Sequence, residues 1–236
     1  MAETEEELKR VLVVGAHPDD PDVGAAGTVA LWVQQGKEVY YLLVTNGDKG
    51  SSDPAMTSEK LIAIRRAEQE RAAAKLGVKE VIWLGYRDGE LEHSLALRKD
   101  ITHIIRQYRP DIVITHDPTI LFVQDRYLNH PDHRVTGLAT LDAIFPTARD
   151  RLQYPDQIAA GLVPHKVRHI YLFTPQQRNV SVDITSVFES KLEALKEHKS
   201  QFDFTDEWVK FWRERARAQG DGDGYYEAFH RIIMFR

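Results

Sequence analysis

Two short stretches of this chain carry the same reactive trio. His17-Pro18-Asp19 is followed by Asp20, and His130-Pro131-Asp132 is followed by His133. A single His-Pro-Asp is ordinary turn chemistry, because proline and aspartate both favour turns. Two copies, each with a further ligand-type residue next to it, point to a common cause, and a bound metal ion supplies one. His17 and Asp20 flank a proline-stiffened turn that would aim both at one ion. His133 lies near the start of a helix whose first position suits Pro131. Two imidazoles and one carboxylate leave coordination positions open to water, as in catalytic rather than structural zinc sites. Asp19 is then a spare carboxylate suited to take a proton from water. His130 is a spare imidazole suited to stabilise an oxyanion or protonate a leaving group.

The chain has no cysteine, so it has neither disulfides nor thiolate metal sites. Any transition metal must be bound by imidazole and carboxylate, which suits Zn2+ and leaves Fe2+ as the alternative. The same three ligands describe the facial triad of an iron oxygenase. A saturated shell would instead make a non-catalytic sugar- or metal-binding module. His93, His103, His165, His169, His198 and His230 read as solvated or structural, while His116 ends a strand close to the presumed cleft and stays open. The segment Gly15 to Gly27 lacks the dinucleotide spacing and fills its turn with charge. No phosphate loop and no nucleophile elbow occurs.

The elements that must position these residues alternate. Arg10–Ala16, Val39–Thr45, Val81–Leu84, Asp111–Thr115 and Lys166–Phe173 read as strands, the apolar runs being those of strands buried on both faces. Helices are predicted from about Val23 to Gln35, from Thr57 to Leu76, from Leu95 to Tyr108 and from Pro131 to Phe145. Gly24 to Gly27 would let the first helix pack closely on the sheet. Asn46 to Pro54 reads as a loop. Strand-helix-strand alternation with short connections predicts an α/β, Rossmann-like, doubly wound and mostly parallel sheet. Ligands in such sheets bind beyond the carboxyl ends of the strands, where His17, Asp48 and His116 fall. A C-terminal extension from about residue 176 to 236 follows a core of about 9–175. It holds an edge strand at Val180–Asp183 and helices over Ile184–Lys199 and Asp206–Gln219, then a Gly-rich stretch.

A chain of 236 residues fits one such domain, 1–236. Aspartate and glutamate number 36 against 31 lysines and arginines, a formal charge of −5 with the signs interspersed. Such a surface argues against a nucleic-acid partner. The apolar runs are too short to span a bilayer, and the acidic N-terminus is unlike a secretory signal. A cytoplasmic address is therefore the expectation.

Ala16-His-Pro-Asp-Asp20 with Gly24-Ala-Ala-Gly-Thr28, together with His130-Pro-Asp-His-Arg134, resembles the PIG-L/LmbE-like family of zinc-dependent deacetylases. Arg65-Arg-Ala-Glu68, Leu84-Gly-Tyr-Arg-Asp88, Arg109-Pro-Asp111 and Tyr226-Glu-Ala-Phe229 are similar to weaker family patterns. The resemblance implies removal of acetyl groups from N-acetylglucosamine-type substrates or related amides. It implies His17, Asp20 and His133 as zinc ligands, Asp19 as general base, and His130 supported by Asp132 as stabiliser of the tetrahedral intermediate. Arg65 and Asp88 fall at positions that contact substrate hydroxyls, and a homo-oligomer is implied. Two departures stand out. Pro21-Asp22 follows where the family commonly has Glu, and Leu128 stands where some members have tyrosine.

Overall fold

The computed structural model describes residues 8–123 and 127–235. Strands β1 (Arg10–Gly15), β2 (Glu38–Thr45), β3 (Glu80–Tyr86), β4 (Ile112–His116) and β7 (His169–Phe173) pair in parallel in the order β3-β2-β1-β4-β7. This is the Rossmann-like, doubly wound arrangement that the alternating pattern predicts. β4 and β7 are buried at every residue and β1 at all but its first. Their uninterrupted apolar runs follow from that burial.

Helices cover both faces, and side chains alternate between them along each strand. Val11, Val13, Tyr41, Leu43 and Ile114 pack toward α1 (Asp20–Gln34), α2 (Ser58–Leu76), α6 (Phe188–Leu195) and α7 (Asp206–Ala218). Leu12, Val14, Leu42, Val44 and Val113 pack toward α3 (Leu95–Tyr108) and α4 (Pro131–Asp142). Thr57 and Ser94 cap α2 and α3 by accepting from the amides of Lys60 and Leu97. Gly24 lets α1 approach the sheet, because a Cβ there would stand 2.7 Å from the Phe173 ring.

Several elements differ from the sequence reading; the helix expected over Ile184–Lys199 is a 3-10 turn, Thr185–Val187, followed by α6, and the strand expected from Lys166 begins at His169. α1 starts at Asp20 rather than about Val23, since Pro21 and the acidic Asp20 and Asp22 suit a first helical turn. α4 ends at Asp142, and a π-helical turn, Ala143–Thr147, carries the chain past Pro146, which cannot continue the ladder. The C-terminal extension supplies helices, but it also completes the sheet. β9 (Tyr226–Ile233) runs antiparallel between β7 and the edge strand β8 (Val180–Asp183). A small hairpin, β5 (Phe122–Val123) with β6 (Tyr127–Leu128), stands outside the sheet. α5 (Pro155–Ala159) is a short connector. Among the described residues, no helix is long and apolar enough to cross a membrane.

Candidate active site

β1 has β2 on one side and β4 on the other, so the chain reverses its winding direction beside it. A crevice opens at that switch point beyond the strand carboxyl ends. The turn after β1 is tied by the His17 amide donating to Asp20 Oδ2 at 2.7 Å and by the Asp20 amide donating to the His17 carbonyl at 3.2 Å. Asp19 caps α1 at φ 108°, a conformation rare for a residue with a Cβ. Across the crevice, His130 caps α4 and Asp132 and His133 occupy its first turn. Two distant segments thus meet through the order of the strands.

Three donor groups converge there, the Asp20 carboxylate facing the two rings through different oxygens. His17 Nδ1 lies 3.3 Å from His133 Nε2 and 3.4 Å from Asp20 Oδ2, and His133 Nε2 lies 3.2 Å from Asp20 Oδ1. A tetrahedral ion with ligands at about 2.0–2.1 Å requires donors about 3.3–3.4 Å apart. The donor set and its spacing therefore fit a zinc-sized divalent ion. Burial works against charge on Asp20, yet His133 and His116 hold its carboxyl well below the usual range. His17 is likewise buried, but its carboxylate partners raise its pKa well above an ordinary histidine. A divalent ion taken up at His17 would therefore displace a proton.

The outer atoms of these three residues are also engaged. His17 Nε2 lies 3.2 Å from Asp88 Oδ1 and 3.3 Å from Asp132 Oδ2. Asp132 is fully buried and accepts from the Gly89 amide at 2.7 Å. His133 Nδ1 donates to Asn129 Oδ1 at 2.9 Å, which leaves the lone pair of Nε2 facing the crevice centre. His116 is buried, stacks on His133 with centroids 4.2 Å apart, and places Nε2 3.1 Å from Asp20 Oδ2 and 3.2 Å from the Ala16 amide nitrogen. One nitrogen cannot donate and accept at once. The carboxylate is the stronger partner, so Nε2–H donates to Asp20. Burial, reinforced by His133, pushes His116 down to about 4 and keeps it neutral.

Asp19 and His130 flank this centre. Burial raises the Asp19 carboxyl to about 6 against the opposing charge of Arg65, whose Nη2 is 3.7 Å away. His130 Nδ1 accepts the Asp132 amide at 3.2 Å, so the neutral ring carries its proton on Nε2. Burial first, and His17 next, lower its pKa and favour that neutral form. The Asp132 carboxylate lies 4.0 Å from His130 Nδ1 and faces His17 more closely.

The structure brings Arg65 and Asp88 to the same place, both nearly fully buried. Arg65 donates to the carbonyls of Pro18, Gly47 and Lys49, and its Nη1 lies 3.5 Å from Asp88 Oδ2. Only its Nε lacks a partner among the described residues. A cavity of about 330 Å³ opens beside Asp20, His130 and His133, with Ile120 and Phe173 as apolar wall and Arg215 of α7 opposite. Sequence reasoning missed Asn129, Gln69 and Arg215. Only Asn129 gave a signal, as the polar neighbour of the second histidine motif.

Residues 12–144 match the PIG-L family, GlcNAc-PI de-N-acetylase. The chain is 35% identical to a diacetylchitobiose deacetylase of Thermococcus kodakarensis, over 93% of this chain and 80% of that protein. It is 32% identical to a probable N-acetyl-alpha-D-glucosaminyl L-malate deacetylase 2 of Bacillus anthracis, over 82% of each. The solved N,N'-diacetylchitobiose deacetylase from Pyrococcus horikoshii superposes with TM-score 0.88 at 36% identity, covering 97% of this chain and 85% of that one. The chain therefore belongs to the PIG-L family of de-N-acetylases, hydrolases of linear amides.

Proposed function

We propose that this protein removes the acetyl group from an N-acetylated, N-acetylglucosamine-type sugar using a divalent ion, Zn2+ before Fe2+, held by His17, Asp20 and His133. The observation that carries this reading is the convergence of two ring nitrogens and one carboxylate, with His17 Nδ1 3.3 Å from His133 Nε2 and an Asp20 oxygen within 3.2–3.4 Å of each ring, a spacing that suits ligands of one small divalent ion. When bound, the ion supplies Lewis acidity to the amide carbonyl and lowers the pKa of water.

The chain's own groups do the rest. Asp19, with its carboxyl at about 6, is ionised at neutral pH and basic enough to take the proton of the attacking water. The Nε2–H of neutral His130 donates to the oxygen on which negative charge develops. Asp132 and Asp88 fix the ring of His17, and Asn129 fixes that of His133, so both ligands are aimed before substrate arrives. Arg65 holds the Pro18–Asp19 turn through the Pro18 carbonyl, and with Asp88 it is assigned to substrate hydroxyls on the family resemblance. Because His130 has no second proton to give, the proton received by Asp19 is the one passed to the departing amine.

The relatives act on diacetylchitobiose or on N-acetylglucosaminyl malate, and the reading for this chain includes both as candidate substrates. Leu121, Phe122, Tyr127 and Leu128 are exposed beside the cavity, which favours a homo-oligomer that sedimentation analysis can test. A cytoplasmic setting also belongs to this reading.

The deciding experiment measures free amine and acetate released from diacetylchitobiose and N-acetylglucosaminyl malate, with metal content quantified on the same samples. Asp19→Asn should retain the ion and lose about 10²–10⁴-fold in turnover. A variant that keeps near-normal turnover removes Asp19 as the base. A protein that binds no divalent ion removes the whole scheme.

A further inference from the structure

Asp19 holds a backbone conformation, φ 108° and ψ −32°, that a residue with a Cβ seldom adopts. Such a conformation persists only where its surroundings enforce it. On one side, the Asp19 carbonyl accepts from the amides of Asp22 and Val23, both at 2.9 Å, as the α1 ladder begins. On the other, its own amide donates to Gln69 Oε1 of α2 at 2.8 Å.

The Gln69 side chain cannot turn away from this task. Its Nε2 donates to Asp22 Oδ2 at 2.7 Å, which fixes which end of the amide faces Asp19. Asp22 is in turn held by His198 Nε2 at 2.8 Å and by the Tyr41 hydroxyl at 3.2 Å. Tyr41, Asp22, Gln69 and His198 are all at most 1% exposed. Glu68, the neighbour of Gln69, accepts from the amide and hydroxyl of Ser200 and so ties down the turn that carries His198.

We propose that Gln69 is the positioning residue of the catalytic base, anchored by Asp22, Tyr41 and His198 so that it holds Asp19 in its rare conformation. This rests on the reading of Asp19 as base. Gln69 touches neither the ligand atoms nor the cavity, so its loss should change the rate of the chemical step and leave the binding of ion and substrate alone. A displacement of the base by a fraction of an ångström is enough for a large effect on rate.

The test compares wild-type protein, Gln69→Met, Gln69→Glu and Asp19→Asn, each loaded with Zn2+ and assayed on diacetylchitobiose. Exchange of the Asp19 amide is followed by NMR. Gln69→Met keeps the length of the side chain and removes both hydrogen bonds. Its kcat should fall about 10–100-fold, with KM within about twofold and ion content unchanged, and the Asp19 amide should exchange faster. Gln69→Glu, sharing one proton with Asp22, again presents an acceptor to Asp19 and should recover most of both losses. Where Gln69→Met does not fold, Gln69→Ala replaces it, since alanine suits a helix interior. Wild-type kcat and protected exchange in Gln69→Met, with Asp19→Asn inactive, overturn the positioning role and leave the base in place. An active Asp19→Asn overturns the base itself, and the role of Gln69 falls with it.

Discussion

Gly137 offers a way to move His133, one of the three proposed metal ligands, without substituting any of them. It lies one helical turn beyond His133 on α4, on the same face. A Cβ at this position would fall inside contact distance of the His116 carbonyl oxygen, and 3.2 Å from both the His116 carbonyl carbon and Pro118 Cδ. These atoms belong to the end of β4 and a proline ring and cannot swing aside, so α4 must yield. Restoring ordinary contact takes a shift of roughly 0.5–1 Å. His133 rides on that helix, and its Nε2 is 3.2–3.3 Å from the other two donors. Metal sites tolerate about 0.2 Å in ligand distance. Gly137→Ala should therefore weaken metal affinity about 10–100-fold, comparable to the loss of an outer-shell partner. The cost to folding should be smaller. Overpacking costs about 1–3 kcal/mol, and the gain in helix propensity returns about 1 kcal/mol. Competition with a chromophoric chelator measures the affinity, and urea unfolding of the metal-free protein measures the stability. Leu138→Ala, at a neighbouring site 42% exposed, is the control. Unchanged affinity in a folded Gly137→Ala protein would refute the argument that the approach of α4 to β4 sets the ligand spacing.

Other outcomes follow from particular contacts. Asp132→Asn keeps the volume but sets an amide where a carboxylate accepts from both His17 Nε2 and the Gly89 amide. Metal affinity should drop about 10–100-fold with the fold intact, as read by chelator competition and circular dichroism. Arg106 is fully buried and donates to the carbonyls of Thr147, Ala148, Asp150 and Gln153 and to Gln157 Oε1. Arg106→Met leaves these acceptors unpaired and should cost about 3 kcal/mol or more in urea unfolding, without changing metal affinity. Burial works against a proton on His198, but the Asp22 hydrogen bond outweighs it and raises its pKa. A raised folded pKa contributes stability fully below the unfolded value of about 6.5 and loses it as pH rises through the folded value. The wild-type protein should therefore lose stability above that pH relative to His198→Gln, and parallel pH–stability curves would contradict the assignment.

Much of the site was legible in residue types alone. The two His-Pro-Asp copies, each with the residue that follows it, supplied His17, Asp20 and His133, which the structure brings together, because imidazole and carboxylate groups on proline-stiffened turns carry their chemistry in their local sequence. The central strands were legible because burial on both faces demands unbroken apolar runs. β9 was not. Tyr226 to Ile233 shows no two-residue alternation after a Gly-rich stretch, its Ala-Phe, His-Arg and Ile-Ile coming in like pairs, and its place between β7 and β8 depends on partners far away in the chain. Which groups those local features face was decided only in three dimensions. Asp132 turns toward His17 more closely than toward His130, because the Gly89 amide meets it from a third segment. Arg65 is occupied by carbonyls of two loops, and Asp19 is held by Gln69, whose helix begins nearly forty residues after it. Local sequence sets what a side chain can donate or accept. Only packing, by bringing distant segments within hydrogen-bonding distance, selects the partner.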